Sequence, residues 1–257
     1  MKIEVLGSSG GGSLGYNLSS FLIDETILLD AGSVINVLPV ERQLKISGVF
    51  ITHAHFDHIR DLPLLVDNFL GESKRSLEVY ALKEVIFSLK DFIFNNKIWP
   101  DFTKIPNSKE SILKFFPLKL NVTLKFQEYK VKAIPTKHTV PSCGFIIEKN
   151  GKRLFYSGDT GPDLELWNAL KGIKFDVLIT ELSFPDKMED IALASKHYTP
   201  RLLFKHIFTL EPLPDMIFIF HLKPIFRNLI IEEVEYYKRK YHVKNLSVLS
   251  DSEVIEF

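Results

Sequence analysis

The chain has 257 residues, 46% of them hydrophobic and 25% charged, the balance of an ordinary globular protein. Lys plus Arg and Asp plus Glu both number 32, so the formal net charge is zero and no broad basic field for long nucleic acid is evident. A lone cysteine, Cys143, excludes an intrachain disulfide and suits a reducing compartment; a buried small apolar role is favoured for it over a metal-ligand role.

The chain opens on an alternating strand over residues 3–6, followed by glycines where a signal peptide would continue apolar. No window approaches the ~20 apolar residues of a membrane span, so a cytoplasmic location is the default. The loop Gly7-Ser8-Ser9-Gly10-Gly11-Gly12-Ser13 lacks the Gly-Lys-Ser/Thr ending of a triphosphate cradle, and a close backbone approach to a site or a strand crossing is the better reading. Strands are expected over residues 20–23 and 26–30, with a turn at Asp24-Glu25, and over 49–52. Residues 61–70 have helical spacing, 79–80 close a strand, and 83–94 form a helix. The segment 95–106 is irregular, aromatic and broken by Pro100 and Pro106. Strands over 130–134, 144–148 and 153–157 follow, the last two joined by the hairpin signal Asn150-Gly151. A helix over 163–170, a strand over 176–180, a helix over 200–208 with Thr199 as cap and Pro200 at its first position, a strand over 216–220, a helix over 229–241 and a strand over 247–249 complete the series. No internal repeat or linker interrupts it, and a single domain over 1–257 is expected.

Residues 52–58 carry the strongest chemical signal: Thr-His-Ala-His-Phe-Asp-His. His53 and His55 share one face of an extended backbone, and a turn would aim Asp57 and His58 at a second point. One tetrahedral zinc rarely takes four donors packed so tightly, so two neighbouring ions fit better than one. A chance cluster on a solvated loop is the competing reading, and partners elsewhere in the chain weigh against it. His53, His138, Asp159, Glu181 and His221 each follow an apolar strand directly or after a short turn, the way a rigid scaffold gathers a site at one edge. Taken alone, Ser157-Gly158-Asp159-Thr160-Gly161 reads as a plain turn, and His138 and His221 as packed or capping histidines. The opening cluster reverses those readings, since a carboxylate can bridge two cations and an imidazole cannot. His206 and His242 remain unassigned and are expected to be solvated.

These residues in this order, His53-Ala-His55-Phe-Asp57-His58, then His138, Asp159 and His221, resemble the metallo-β-lactamase fold superfamily. Within it the chain looks most like the class II 3′,5′-cyclic-nucleotide phosphodiesterases. The supporting segments are 10–17, 93–102, Tyr156-Ser157-Gly158-Asp159-Thr160-Gly161-Pro162-Asp163, Glu181-Leu182-Ser183-Phe184-Pro185, His197-Tyr198-Thr199-Pro200 and His221-Leu222-Lys223-Pro224. One departure is Asp61, where the family pattern usually has Gly; a helix start tolerates Asp, and substrate preference is what it puts in question. The resemblance implies a four-layer αββα sandwich with a two-metal site at one edge. By position, one ion would take His53, His55 and His138, the other Asp57, His58 and His221, with Asp159 between them. Zinc is the prior metal, and manganese or iron suit the same donors.

Charge bookkeeping favours an anionic substrate. Two divalent ions less Asp57, Asp159 and a metal-bridging hydroxide leave about one net positive charge to hold a phosphodiester. The expected reaction is hydrolysis of cAMP or cGMP to the nucleoside 5′-monophosphate. Asp57 serves it through the metal site, and His197 gives a proton to the leaving oxygen. A helix-start contact is the alternative for His197. Glu181 matches the carboxylate that supports the loop histidine of ribonuclease Z, which the chain also resembles here. Trp99, Phe94 and Phe102 are read equally as a base-stacking lid and as anchors for their loop. A ribonuclease Z-like RNA phosphodiesterase is the chief alternative, weakened by the short span between His138 and Asp159, which has no room for an RNA-gripping arm. Thioester or lactam hydrolysis and a non-catalytic metal-binding sensor are the others. The expected partner is a small cyclic phosphodiester, with no membrane and a possible homodimer.

Overall fold

A computed structural model describes residues 1–71 and 76–257. The first half runs β1 (Lys2–Gly7), β2 (Ser20–Ile23), β3 (Ile27–Leu29), α1 (Val40–Gln43), β4 (Gly48–Phe50), α2 (Phe56–Ile59), α3 (Leu62–Asp67), β5 (Leu77–Leu82), α4 (Lys83–Phe92) and β6 (Leu113–Leu118). The second runs β7 (Thr123–Phe126), β8 (Tyr129–Pro135), β9 (Cys143–Lys149), β10 (Lys152–Tyr156), α5 (Leu164–Leu170), β11 (Val177–Glu181), α6 (Glu189–Ser195), α7 (Pro200–Ile207), β12 (Met216–Phe220), α8 (Arg227–Lys240), β13 (Leu246–Val248) and β14 (Val254–Glu256).

Two seven-stranded sheets form, ordered β14-β1-β2-β3-β4-β5-β6 and β13-β12-β11-β10-β9-β8-β7. Each has an antiparallel half and a parallel half: β3 to β6 are parallel in one, β10 to β13 in the other. The sequence shows no repeat, yet the two sheets share one plan. The parallel strands bury both faces, so their residues divide by alternation. Leu154 and Tyr156 of β10, Val177 and Ile179 of β11, and Phe218 and Phe220 of β12 join the apolar layer between the sheets. Phe155, Leu178, Ile217 and Ile219 face the other way. There they pack on Leu166 and Trp167 of α5, Leu203 and Phe204 of α7, and Ile230 and Val234 of α8. Aromatic edges lock the sheets together: Phe21 meets Tyr156 at 5.2 Å and Phe220 at 5.4 Å between ring centroids, and Phe50 meets Phe145 at 5.7 Å. The αββα sandwich expected from the sequence is the architecture found.

Most expected elements appear within two or three residues. The Asn150-Gly151 hairpin has positive φ at both positions, 51° and 78°, as a two-residue turn between twisted strands requires. Six elements were not read as such from the sequence: α1, α2, β6, β7, α6 and β14, with α2 standing where only a turn was expected. Thr199 precedes α7 and Pro200 opens it, but the Thr199 side chain makes no capping bond, so the cap is positional only. His206 is buried, not solvated as expected, because its Nδ1 lies 3.0 Å from the Tyr198 hydroxyl under α7. His242 is exposed.

The aromatic segment after α4 anchors its loop. Phe94 and Phe102 are buried in the large core and Trp99 packs against it. Chain direction also leads this segment away from the edge where His53 emerges. β4 and β5 are parallel, so α4 starts at the edge where His53 emerges. Its ten residues then carry the chain about 15 Å toward the opposite edge, where β6 begins.

Candidate active site

Strand direction builds the site. β8 and β10 both run antiparallel to β9, and β11 and β12 run parallel to β10, so all four end at one edge. His138, Asp159, Glu181 and His221 follow those ends. From the other sheet β4 delivers His53, and His55 then leads into α2, which carries Asp57 and His58. His53, His58, His138, Asp159, Glu181, His197 and His221 are buried; His55 and Asp57 are partly exposed.

Asp159, His197 and His221 place one ligand atom each within 4.8 Å of one another. His53, His55, His138 and Asp159 form a second such group, and Asp57, His58 and His221 a third. Asp159 stands between these last two. Its Oδ2 lies 3.6 Å from His53 Nε2 and 3.7 Å from His138 Nε2. Its Oδ1 lies 3.2 Å from His58 Nε2 and 3.3 Å from His221 Nε2. His221 Nε2 is also 3.2 Å from Asp57 Oδ2, and His138 Nε2 is 3.0 Å from His55 Nδ1. Donors around one tetrahedral cation with bonds of ~2.1 Å sit ~3.4 Å apart, so both groups have the spacing of a coordination shell.

A second layer fixes which nitrogen faces inward. Asp30, at the end of β3, is fully buried and accepts from every donor around it. These are the Thr52 N–H at 2.8 Å, the Thr52 hydroxyl at 2.9 Å, the Tyr156 hydroxyl at 2.7 Å and His58 Nδ1 at 2.7 Å. The Thr52 hydroxyl in turn sits 2.9 Å from His53 Nδ1. Both imidazoles thereby keep Nδ1 engaged and direct Nε2 to the centre. His53 Nε2, His58 Nε2 and Asp159 Oδ1 are buried with no hydrogen bond; His58 and Asp159 are close but not aligned for one. Buried atoms of this kind are costly unless something else satisfies them, and a divalent cation is what their chemistry suits. Gly158 makes the approach of Asp159 possible: its φ is +58°, and a Cβ there would lie 2.7 Å from Thr52.

Protonation follows the same logic. Burial holds His53 well below the usual imidazole range, and the neighbouring His58 adds to it. Burial likewise takes His138 down to about 4. Burial opposes ionisation of Asp159, but His221 and His58 override it and hold the carboxyl well below its usual range. His53 and His138 are thereby neutral, the form that binds a metal. At His58, burial is outweighed by Asp159 and Asp30, which hold its ring well above the usual range, so binding a metal there would displace a proton.

His197 arrives from the loop after α6. Its ring stacks on His221 at 5.3 Å and an 18° interplanar angle. Its Nδ1 lies 3.1 Å from the Ser183 hydroxyl and 3.3 Å from Glu181 Oε2. Ser183 donates to Glu181 at 2.8 Å and sits 2.8 Å from His221 Nδ1. Burial lowers the His197 pKa, yet Glu181 outweighs it and the ring titrates above its ordinary value. Asp61 does not cap α3; it is buried and accepts from the backbone N–H groups of Val34 and Ile35 at 2.7 and 3.1 Å. Cys143 is buried, with Sγ 3.8 Å from the Thr52 carbonyl.

Asp30, Thr52 and Ser183 are the residues the sequence reading missed. Asp30 had a signal, because it ends an apolar strand as the other site carboxylates do. Thr52 and Ser183 had none beyond adjacency to site residues.

A model of the beta-lactamase superfamily domain matches residues 25–219. The chain belongs to the beta-lactamase superfamily. This superfamily member is 30% identical to a 3′,5′-cyclic-nucleotide phosphodiesterase of Aliivibrio fischeri, over 95% of this chain and 87% of that one. It is 28% identical to a probable 3′,5′-cyclic-nucleotide phosphodiesterase of Yersinia pestis, over 91% and 83%. A ribonuclease Z of Methanocaldococcus jannaschii is 26% identical over 68% and 70%. Unliganded yeast PDE1 shares the fold, with a TM-score of 0.83, 19% identity and 100% and 99% of the two chains covered. The superfamily chain is a metal-dependent hydrolase. No helix among its described residues is long and apolar enough to cross a membrane.

Proposed function

We propose that this hydrolase opens 3′,5′-cyclic nucleotides to nucleoside 5′-monophosphates, using two divalent ions, zinc first among them. The observation that carries the two-ion reading is the division of Asp159: one oxygen faces His53 and His138, the other faces His58 and His221. His53, His55 and His138 would hold one ion, Asp57, His58 and His221 the other, and Asp159 both. When bound, the ions supply positive charge and Lewis acidity toward water and the diester.

The chain's own residues do the rest. Thr52 and Asp30 keep His53 and His58 in the tautomer that offers Nε2. His197 has Nδ1 tied to Ser183 and Glu181, which leaves Nε2 to carry a proton to the departing ribose O3′. Glu181 favours the protonated ring that this step needs. The cyclic-nucleotide substrate rests on the two phosphodiesterase relatives, which match nearly the whole chain.

A ribonuclease Z-like activity is the second reading, on the strength of the archaeal relative. Against it, β9, β10 and their two-residue turn take up most of the chain between His138 and Asp159, so no RNA-gripping arm is inserted there. A hydrolysis panel decides between them, run with metal-quantified protein on cAMP, cGMP, 2′,3′-cAMP, bis(p-nitrophenyl) phosphate and a precursor tRNA. Turnover of cAMP or cGMP to the 5′-monophosphate supports the proposal. Cleavage of the tRNA alone replaces it with the second reading.

A further inference from the structure

His221 is held in an unusual way. Its φ is +71°, a left-handed conformation that costs a non-glycine residue free energy unless the surroundings enforce it. What enforces it is the glycine-rich loop from β1 to β2. The His221 N–H donates to the Ser8 carbonyl at 2.6 Å, and the Gly10 N–H donates to the Leu222 carbonyl at 3.3 Å. Gly10 lies so close that a Cβ there would meet the His221 carbonyl oxygen at 2.4 Å and its Nδ1 at 2.5 Å. Lys223 Nζ donates to the Gly10 carbonyl. The loop is therefore a backbone mould for one imidazole.

The loop is fixed in turn by a single carboxylate from the far end of the chain. Asp251, between β13 and β14, accepts at Oδ1 from the Ser8 N–H and the Ser8 hydroxyl, both at 2.9 Å. Its Oδ2 accepts from the Asn17 N–H at 2.8 Å. The carboxylate thus pins both ends of the loop, Ser8 and Asn17, and the Ser9 N–H closes the base by donating to the Asn17 carbonyl at 2.9 Å. Arg227 holds the same segment from α8 by donating to the Leu249 carbonyl at 3.0 Å.

We infer that Asp251 is a positioning residue for His221: it clamps the glycine-rich loop that sets this histidine's backbone and ring. The inference rests on the two-ion reading above. It assigns Asp251 to one half of the centre, because the loop moulds His221 while His53, His55 and His138 come from other elements.

The test is calorimetric titration of metal-free protein with zinc, for wild type, Asp251→Ala and Asp251→Asn, with circular dichroism and thermal melting of each metal-free form. Asparagine keeps one oxygen for Ser8 but sets an NH2 group against the Asn17 N–H, so it serves as the milder variant should alanine fail to fold. Two zinc-binding events are expected in wild type. In the variants one event should weaken by about tenfold or more, the size of effect seen when supports of a metal ligand are removed, while the other stays unchanged. Two events as tight as wild type in folded Asp251→Asn overturn the inference alone, as does equal weakening of both. Wild type that takes up fewer than two ions overturns the two-ion reading and this inference with it.

Discussion

Replacing Asp30 by Asn tests whether the second layer sets the donor atoms of the centre. The carboxylate is fully buried and accepts from the Thr52 N–H, the Thr52 hydroxyl, the Tyr156 hydroxyl and His58 Nδ1, at 2.7 to 2.9 Å. An amide has one oxygen, so in either orientation its NH2 group confronts donors. Turned toward Oδ2, it meets the Tyr156 hydroxyl and drives His58 to the tautomer with Nε2 protonated, which withdraws the lone pair the metal needs. Turned toward Oδ1, it faces the Thr52 N–H. One or two buried donors left without acceptors cost about 1–3 kcal/mol each, so the metal-free protein should lose roughly 2–4 kcal/mol. For a chain of this length that is a fall in Tm of roughly 4–16 °C. Zinc affinity should fall about 10- to 100-fold. The assay is chelator competition for zinc, beside thermal melts of the metal-free proteins. Tyr156→Phe is the control, because it removes one donor and leaves the His58 bond intact; its zinc affinity should stay within about threefold of wild type. An Asp30→Asn protein that binds zinc like wild type, or a Tyr156→Phe protein that loses as much as Asp30→Asn, refutes the reasoning.

His197→Ala should retain the wild-type metal content by elemental analysis while kcat on cAMP drops by about 100-fold or more; loss of metal would make His197 a ligand instead. Phe102→Ala should cost about 3–5 kcal/mol in denaturant unfolding and leave the KM for cAMP unchanged; a raised KM in a stable variant would restore the base-stacking role. Asp24 gives a pH signature. Burial opposes its ionisation, but Lys149, the Lys2 N–H and the Tyr129 hydroxyl outweigh that and lower its pKa from 3.8. A lowered folded-state pKa stabilises the protein above the unfolded value of ~3.9, and the contribution fades as pH falls through the folded value. Asp24→Asn should therefore melt lower than wild type at pH 6, and the gap should close as the melts move to pH 3; a gap independent of pH would assign the difference to packing.

The donor set was legible in the sequence because its chemistry is concentrated. Few alternatives explain three histidines and an aspartate within residues 53–58, and apolar strands mark where each distant partner emerges. Asp30 escaped notice because a carboxylate at a strand end also reads as an ordinary turn residue. His206 was misread because its charged neighbours in α7 suggest a wet surface, while the Tyr198 hydroxyl that buries it is set by tertiary packing. The short and peripheral elements failed for a related reason. β6 is an edge strand interrupted by Pro117, β7 is the edge of the other sheet, and β14 has three residues, so their pairing supplies what local pattern lacks. The aromatic segment 94–102 could not be placed locally, since the direction of α4 decides which edge it occupies.

The shared plan of the two sheets has a mechanical consequence. The leading half contributes His53, His55, Asp57 and His58, and the trailing half contributes His138, Asp159 and His221. Neither half can complete a coordination sphere unaided, so each proposed cation would rivet one sheet to the other across their seam. Loading with metal would then tighten the sandwich at its working rim, and chelation would loosen that rim first, ahead of the opposite edge where Phe94 and Phe102 are packed.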